Sequence, residues 1–235
     1  MSSTETSHRP RFGDPMPIHA SAKTLAFLER RRSASAMTLA QPGPTPDEID
    51  RILTVAARAP DHGKLAPWRF VILRGEAKAA FVAGLEHIAA GRPDAGKAAK
   101  KLGKIRVPPV TVAVVSRMVE DEIPEWEQVL SAGAVCTLMV IAVQAMGYGA
   151  NWITDWYAYD ARALELLGLG EGEKLAGYIH MGTPLEAPLE RIRPDLRTIT
   201  QVWMPEGLRQ AAIRSNALGS PPAISEPAPA GRPRP

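Results

Sequence analysis

The stretch TPDEIDRILTVAARAPDHGKLAPWRFVILRG, Thr45 to Gly75, lays a helix, a kinked loop and a strand end to end. Thr45 suits an N-cap, Pro46 the first helical position, and Glu48 completes a capping box. Ile49, Ile52, Leu53 and Ala56 then fall on one face at helical spacing. Pro60 closes the helix, because the residue before a proline is pushed out of the α region. RFVILRG reads as a short buried strand stopped by Gly75. Between the two, Arg58, Asp61, His62 and Gly63 sit among the prolines Pro60 and Pro67. A plain connection needs none of these side chains, so the loop is built to touch something.

Outward from this stretch the alternation continues. Helical patterns cover Ala22 to Arg31, Ala77 to Ala90 and Ala95 to Ile105. A long helix from Pro124 to about Met146 is apolar almost all round over its second half, which places it in a core or an interface. YDARALELLGL is a further helix with Asp160 as its cap. PPVTVAVVSR, YGANWIT and KLAGYIHMGTP read as strands, and RTITQVW as an outlying one. The pattern predicts an α+β or α/β three-layer domain of ~4–5 strands with helices on the faces. Residues 1–19 read as a disordered tail, 20–205 as the folded domain, and 206–235 as a Pro/Ala-rich disordered tail.

The 235 residues carry a net charge of +3, and 45% are apolar. Much of the basic excess sits near the ends, in Arg9, Arg11, Arg232 and Arg234, so no dense basic face points to nucleic acid. A single cysteine, Cys136, excludes an intramolecular disulfide and multi-cysteine metal sites; on its apolar helix it reads as a small buried hydrophobe. The N-terminus is polar, without a secretory signal. The longest apolar run, Val135 to Met146, is broken by Gln144 and is too short to span a bilayer. A cytoplasmic protein follows by default.

RRSAS, Arg31 to Ser35, directly follows the first helix. In an extended chain Arg31, Ser33 and Ser35 point one way and form an anion clamp of guanidinium and hydroxyl donors. A solvated basic helix end accounts for the same residues. No Walker loop and no strand-linked G-x-G-x-x-G is present, so a phosphate would be held by side chains. Among five histidines, His87 and His180 read as structural or exposed, and His62 alone lies in a loop of turn residues. No metal-ligand spacing and no nucleophile elbow occurs. Ser131 in SAGA reads as a small packing residue, and Glu125 and Glu127 as a solvated first turn.

RRSAS, ARAPDHGKLAPWRF, IPEWEQVLSAGAV, GYGANWIT and GYIHMGTP, taken in order, resemble the FMN-dependent nitroreductase family, in particular its YdjA-like subgroup, from about Thr24 to Trp203. The resemblance implies an α+β fold, a three-layer α/β/α sandwich with a mixed, largely antiparallel sheet. It implies a homodimer with FMN at the subunit interface, the helix from Pro124 at its centre, and a last strand near RTITQVW crossing to the partner or pairing at the sheet edge. It assigns Arg31, Arg32 and Ser33 to the FMN phosphate and ribityl chain. Arg58 and His62 lie on the loop over the flavin, whose wall Pro67 and Trp68 shape. Trp152, Ile153 and Thr154 line its other side, and Arg191 or Arg193 adds a phosphate contact. Ile153 replaces a basic residue, and Asp155 stands where glycine is common. The implied activity is ping-pong hydride transfer from NAD(P)H through FMN to a nitroaromatic, quinone or similar electron-poor small molecule, with no side-chain nucleophile. A flavin-binding protein that does not turn over, a sensor or a carrier, is the alternative. Neither nucleic acid nor a membrane is an expected partner.

Overall fold

The structure, a computed structural model, describes residues 10–206. The expected tails therefore lie partly outside the described residues, at 1–9 and 207–235. Residues 10–19 are exposed and carry no helix or strand. The chain divides into two compact units, Met1–Glu190 and Arg191–Pro235.

The first unit is built on five strands: β1 (Leu39–Ala40), β2 (Trp68–Arg74), β3 (Val110–Ser116), β4 (Gly149–Ile153) and β5 (Lys174–Pro184). β5 is the hub, hydrogen-bonded to β1, β3 and β4, while β2 pairs with β3. Every one of these pairings is antiparallel, which corrects the mixed sheet expected from the family resemblance. Arg74 at the end of β2 stands opposite Val110 at the start of β3. The excursion between them thus begins and ends at one end of the sheet, so β3 has to run back along β2. That excursion contains α3 (Gly75–Ala90), α4 (Ala95–Lys101) and α5 (Gly103–Arg106). The single helix expected over Ala95–Ile105 is interrupted at Leu102.

Helices cover both faces of the sheet. All of β3 is buried, as a strand packed on both sides must be. Its alternate residues Val110, Val112 and Val114 join a core with α2 (Pro46–Ala56) and α6 (Glu125–Ala145), through Ile49, Ile52, Val135, Met139 and Val143. Ala113 and Val115 point the other way, into a core with Phe81 and Leu85 of α3 and Ile105 of α5. Ala163 of α7 (Ala161–Leu166) and Tyr178 of β5 complete that side.

The capping box of α2 is formed as read: Thr45 Oγ1 accepts from Glu48 N and Glu48 returns to Thr45 N. By length and composition alone α6 could cross a bilayer, yet half of its most apolar stretch is buried inside the fold. Cys136 lies there, fully buried, its thiol pushed up to about 12 by burial. From Gln128 to its end α6 carries no charge, and Trp126, Leu130, Thr137 and Ala145 are exposed along it.

In the second unit, RTITQVW is not a strand. Leu196–Ile199 forms the short helix α8, because the Asp195 side chain accepts from Arg197 N and its carbonyl from Thr198 N. These local bonds favour a turn over an extended edge.

Candidate functional site

The basic end of α1 (Ala22–Arg30) opens into a cleft of about 390 Å³. Arg30, Arg31, Arg32, Gln144, Tyr148 and Gly149 line it, so the elements that meet there are α1, the end of α6 and the start of β4. The segment after α1 is held by its backbone. Ala34 N donates to Ala150 O at 3.0 Å, Asn151 Nδ2 donates to Ala34 O, and Gln144 Nε2 donates to Arg32 O. Strict alternation would have turned Arg31 and Arg32 to opposite sides. Both line the cleft, because the bend out of α1 falls at Arg31. Ser33 is half-buried and outside the lining, and Ser35 accepts from Met37 N, capping a 3₁₀ turn. Arg32 Nε donates to Leu189 O at 2.8 Å and lies 3.8 Å from Glu190, which fixes its fork.

Two cleft residues were invisible as site residues in the sequence. Tyr148 donates to Glu48 Oε2 at 2.9 Å, tying the cleft wall to the α2 capping box. Thr45 N–H and then the Tyr148 hydroxyl lower the Glu48 carboxyl, and the carboxylate in turn raises the phenol. Gln144 had registered only as a break in an apolar run. With its amide N–H₂ given to Arg32 O, its Oε1 is buried and has no hydrogen-bond partner. A buried acceptor without a donor costs about 1–3 kcal/mol. Guanidinium groups beside an orphaned acceptor suit an anionic, hydroxylated ligand, and a phosphorylated ribityl chain has both properties. The residues therefore fit FMN.

The Arg58–Trp68 loop lies elsewhere. Pro60 O accepts from Ser131 Oγ at 2.8 Å, and Trp68 Nε1 donates to the same hydroxyl at 3.2 Å. Ser131 is thus a hub of the loop. Asp61 Oδ2 accepts from Ala66 N at 2.8 Å, and His62 Nδ1 sits 2.7 Å from Glu127 Oε2. Glu127 is therefore paired, where its position had suggested a solvated first turn. Gly63, Lys64 and Ala66 adopt φ of 75°, 58° and 45°. Left-handed backbone at Lys64 and Ala66 is strained, and such strain gathers at functional sites. Arg58 and His62 are exposed. Ser131 and Gln144 are separated by about 20 Å along α6, at the helical rise of ~1.5 Å per residue. A single chain thus does not bring this loop to its own arginine cleft.

At the end of β4, the Trp152 indole lies across β5, with Nε1 donating to Ala176 O at 3.1 Å. Ile153 is half-buried opposite Tyr178, and Thr154 is exposed. Asp155 is a buried structural anchor. Its side chain is 3% exposed, pairs with Lys101 Nζ at 3.0 Å and Lys104 Nζ at 3.1 Å, and accepts from Trp156 N. Burial alone would raise its carboxyl; the Trp156 N–H and the two ammonium groups overcome this and lower it. Arg191 lies in the second unit, where it is exposed. No group of three or more potential metal ligands occurs among the described residues.

An antiparallel sheet between two helix layers, with an arginine-lined cleft where α1, α6 and β4 meet, defines an α+β protein equipped for an anionic ligand. Residues 28–183 match the Nitroreductase family. The chain is 35% identical over 162 residues to the Escherichia coli (strain K12) protein named "Putative NAD(P)H nitroreductase YdjA", spanning 68% of this chain and 87% of that protein. The chain belongs to the nitroreductase family. Its fold is that of the nitroreductase-like family protein from Bacillus cereus, at a TM-score of 0.69 and 20% identity over 80% of this chain and 99% of that one. It also matches a mutant of the FMN and NADPH-dependent nitroreductase NfnB from Sphigopyxis sp. strain HMH. There the TM-score is 0.63 and the identity 21%, over 76% of this chain and 97% of that one.

Proposed function

We propose that the chain is an FMN-dependent NAD(P)H oxidoreductase that reduces electron-poor small molecules such as quinones and nitroaromatics, and that it works in the cytoplasm as a homodimer. The observation that carries the reading is the cleft lined by Arg31, Arg32 and Gln144, whose buried Oε1 has no hydrogen-bond partner among the described residues. Arg31 and Arg32 hold the phosphate by charge-assisted hydrogen bonds. Ser33 is a further contact to the phosphate and ribityl chain. Trp152, Ile153 and Thr154 line the ring. When bound, FMN supplies the hydride relay between nicotinamide and acceptor; the protein binds, orients and tunes.

The dimer follows from two observations. The outward side of α6 runs uncharged from Gln128 onward. It continues into a mostly apolar groove of about 390 Å³ lined by Val55, Ile141, Ala145 and Met146, with Arg51 as its one charged residue. Two copies packed on this face with their α6 helices antiparallel would set the Glu127 end of one beside the Gln144 end of the other. That places the partner subunit's Arg58 and His62 over this chain's cleft, spanning a separation one chain cannot close.

Purified protein should be yellow or take up FMN on reconstitution, and should then oxidise NAD(P)H in the presence of a quinone. A protein that stays colourless after reconstitution disproves the reading. One that binds FMN and never oxidises NAD(P)H is a flavin carrier or sensor instead.

A further inference from the structure

We infer that His62, held by Glu127, donates the proton that accompanies hydride transfer to the acceptor; this rests on the flavin-dimer reading above. The two side chains meet at 2.7 Å, through His62 Nδ1 and Glu127 Oε2. An ionised carboxylate only accepts, so Nδ1 carries a proton and Nε2 is the ring nitrogen left for other work. The His62 side chain is 62% exposed, so Nε2 is open to an approaching molecule.

The loop carrying His62 is braced beyond what a connection needs. The Ser131 hydroxyl holds Pro60 O, and Asp61 holds Ala66 N across the turn that contains Gly63 and Lys64. Asp61 is thereby committed to the backbone, and Glu127 of α6 is the carboxylate left facing the imidazole. Arg58 and Lys64, both exposed, are the cations of the same loop. The dyad stands beside Trp126 and Leu130, large exposed apolar residues at the start of the proposed dimer face. A second copy would shield the dyad from water at that edge.

The chemistry requires such a donor. A hydride carries two electrons and one proton. A quinone that receives it needs one more proton to become the hydroquinone. A nitro group needs one more to give the nitroso compound and water. The imidazolium transfers its Nε2 proton to the acceptor oxygen, is left as neutral imidazole, and regains a proton from solvent.

The test uses the full-length protein loaded with FMN and reduced by NADPH, with two acceptors compared. Benzoquinone takes up protons; ferricyanide takes electrons alone. His62→Asn should slow reoxidation by benzoquinone about 100-fold, as loss of a general acid does, and leave reoxidation by ferricyanide within about twofold. Glu127→Gln should slow the benzoquinone reaction by a smaller factor. It should also shift its pH profile and, in ¹⁵N spectra of the flavin-loaded protein, move His62 away from the Nδ1-protonated tautomer. Equal slowing with both acceptors, or no slowing with benzoquinone, overturns the proposal while leaving the flavin reading intact. Wild-type protein that binds no FMN overturns both.

Discussion

Trp152 occupies the space above Gly177: a Cβ built on Gly177 would lie 2.0 Å from the indole Nε1. Only a residue without a side chain lets the ring lie on β5 and reach Ala176 O. Gly177→Ala should swing the indole outward, break that hydrogen bond and cost about 1–3 kcal/mol. Denaturant titration and the near-ultraviolet circular dichroism of tryptophan would show it; an unchanged signal would mean that the ring is not seated there.

Arg32 offers a discrimination between phosphate and ring. Arg32→Ala should weaken FMN binding by about 10- to 100-fold, the usual worth of a charge-assisted contact. Riboflavin has no phosphate, so its affinity should change little. Fluorescence quenching titrations with both flavins make the comparison, and equal losses would place Arg32 in a structural role through Leu189 O.

The α6 face should respond to a charge. Leu130 is 53% exposed in the single chain. Leu130→Glu would bury a carboxylate in the proposed dimer, so sedimentation should show a monomer where the wild type shows a dimer, and FMN should be lost with it. A wild-type monomer that retains FMN contradicts the shared site.

Asp155 ties the end of β4 to α4 and α5. Asp155→Ala removes the acceptor of the Trp156 N–H and of two ammonium groups that stay about 41–43% exposed to water. The released lysines resolvate, so the cost should be modest, about 1–2 kcal/mol, read as a lower midpoint in urea.

Acid should destabilise the protein in two windows. His180 is fully buried with Nδ1 on Thr111 Oγ1. Burial, aided by the nearby Lys78 charge, lowers its imidazole to about 3. Between there and the ordinary value near 6.5 the unfolded chain binds the extra proton, so stability falls as pH drops, by up to ~1.4 kcal/mol per pH unit. Glu173 is lowered to about 2, chiefly by Arg69, against a partial opposing effect of burial. Its contribution is present above about 4.5 and lost as pH falls towards 2. Urea titrations at stepped pH should show the first limb shrinking in His180→Asn and the second in Glu173→Gln.

Where the controlling interactions are local, the structure agrees with the sequence. The Thr45–Glu48 capping box, the β-branched run of β3 and the apolar length of α6 each follow from residues a few positions apart. The same locality explains the failure at RTITQVW, where the Asp195 cap outweighed β-branched residues.

Sequence alone thus determined the family, the order of the main elements and the arginines after α1. Only the tertiary structure decided that every strand pairing among the described residues is antiparallel and that Asp155 is a buried anchor for two lysines. It likewise revealed the orphaned acceptor on Gln144 and the bond between His62 and Glu127. The physical reason is reach. A cap or a periodic stripe is set within one or two turns of chain. A side-chain hydrogen bond spanning 65 residues, or an amide donating across 112, exists only after the sheet has folded and brought its partners together.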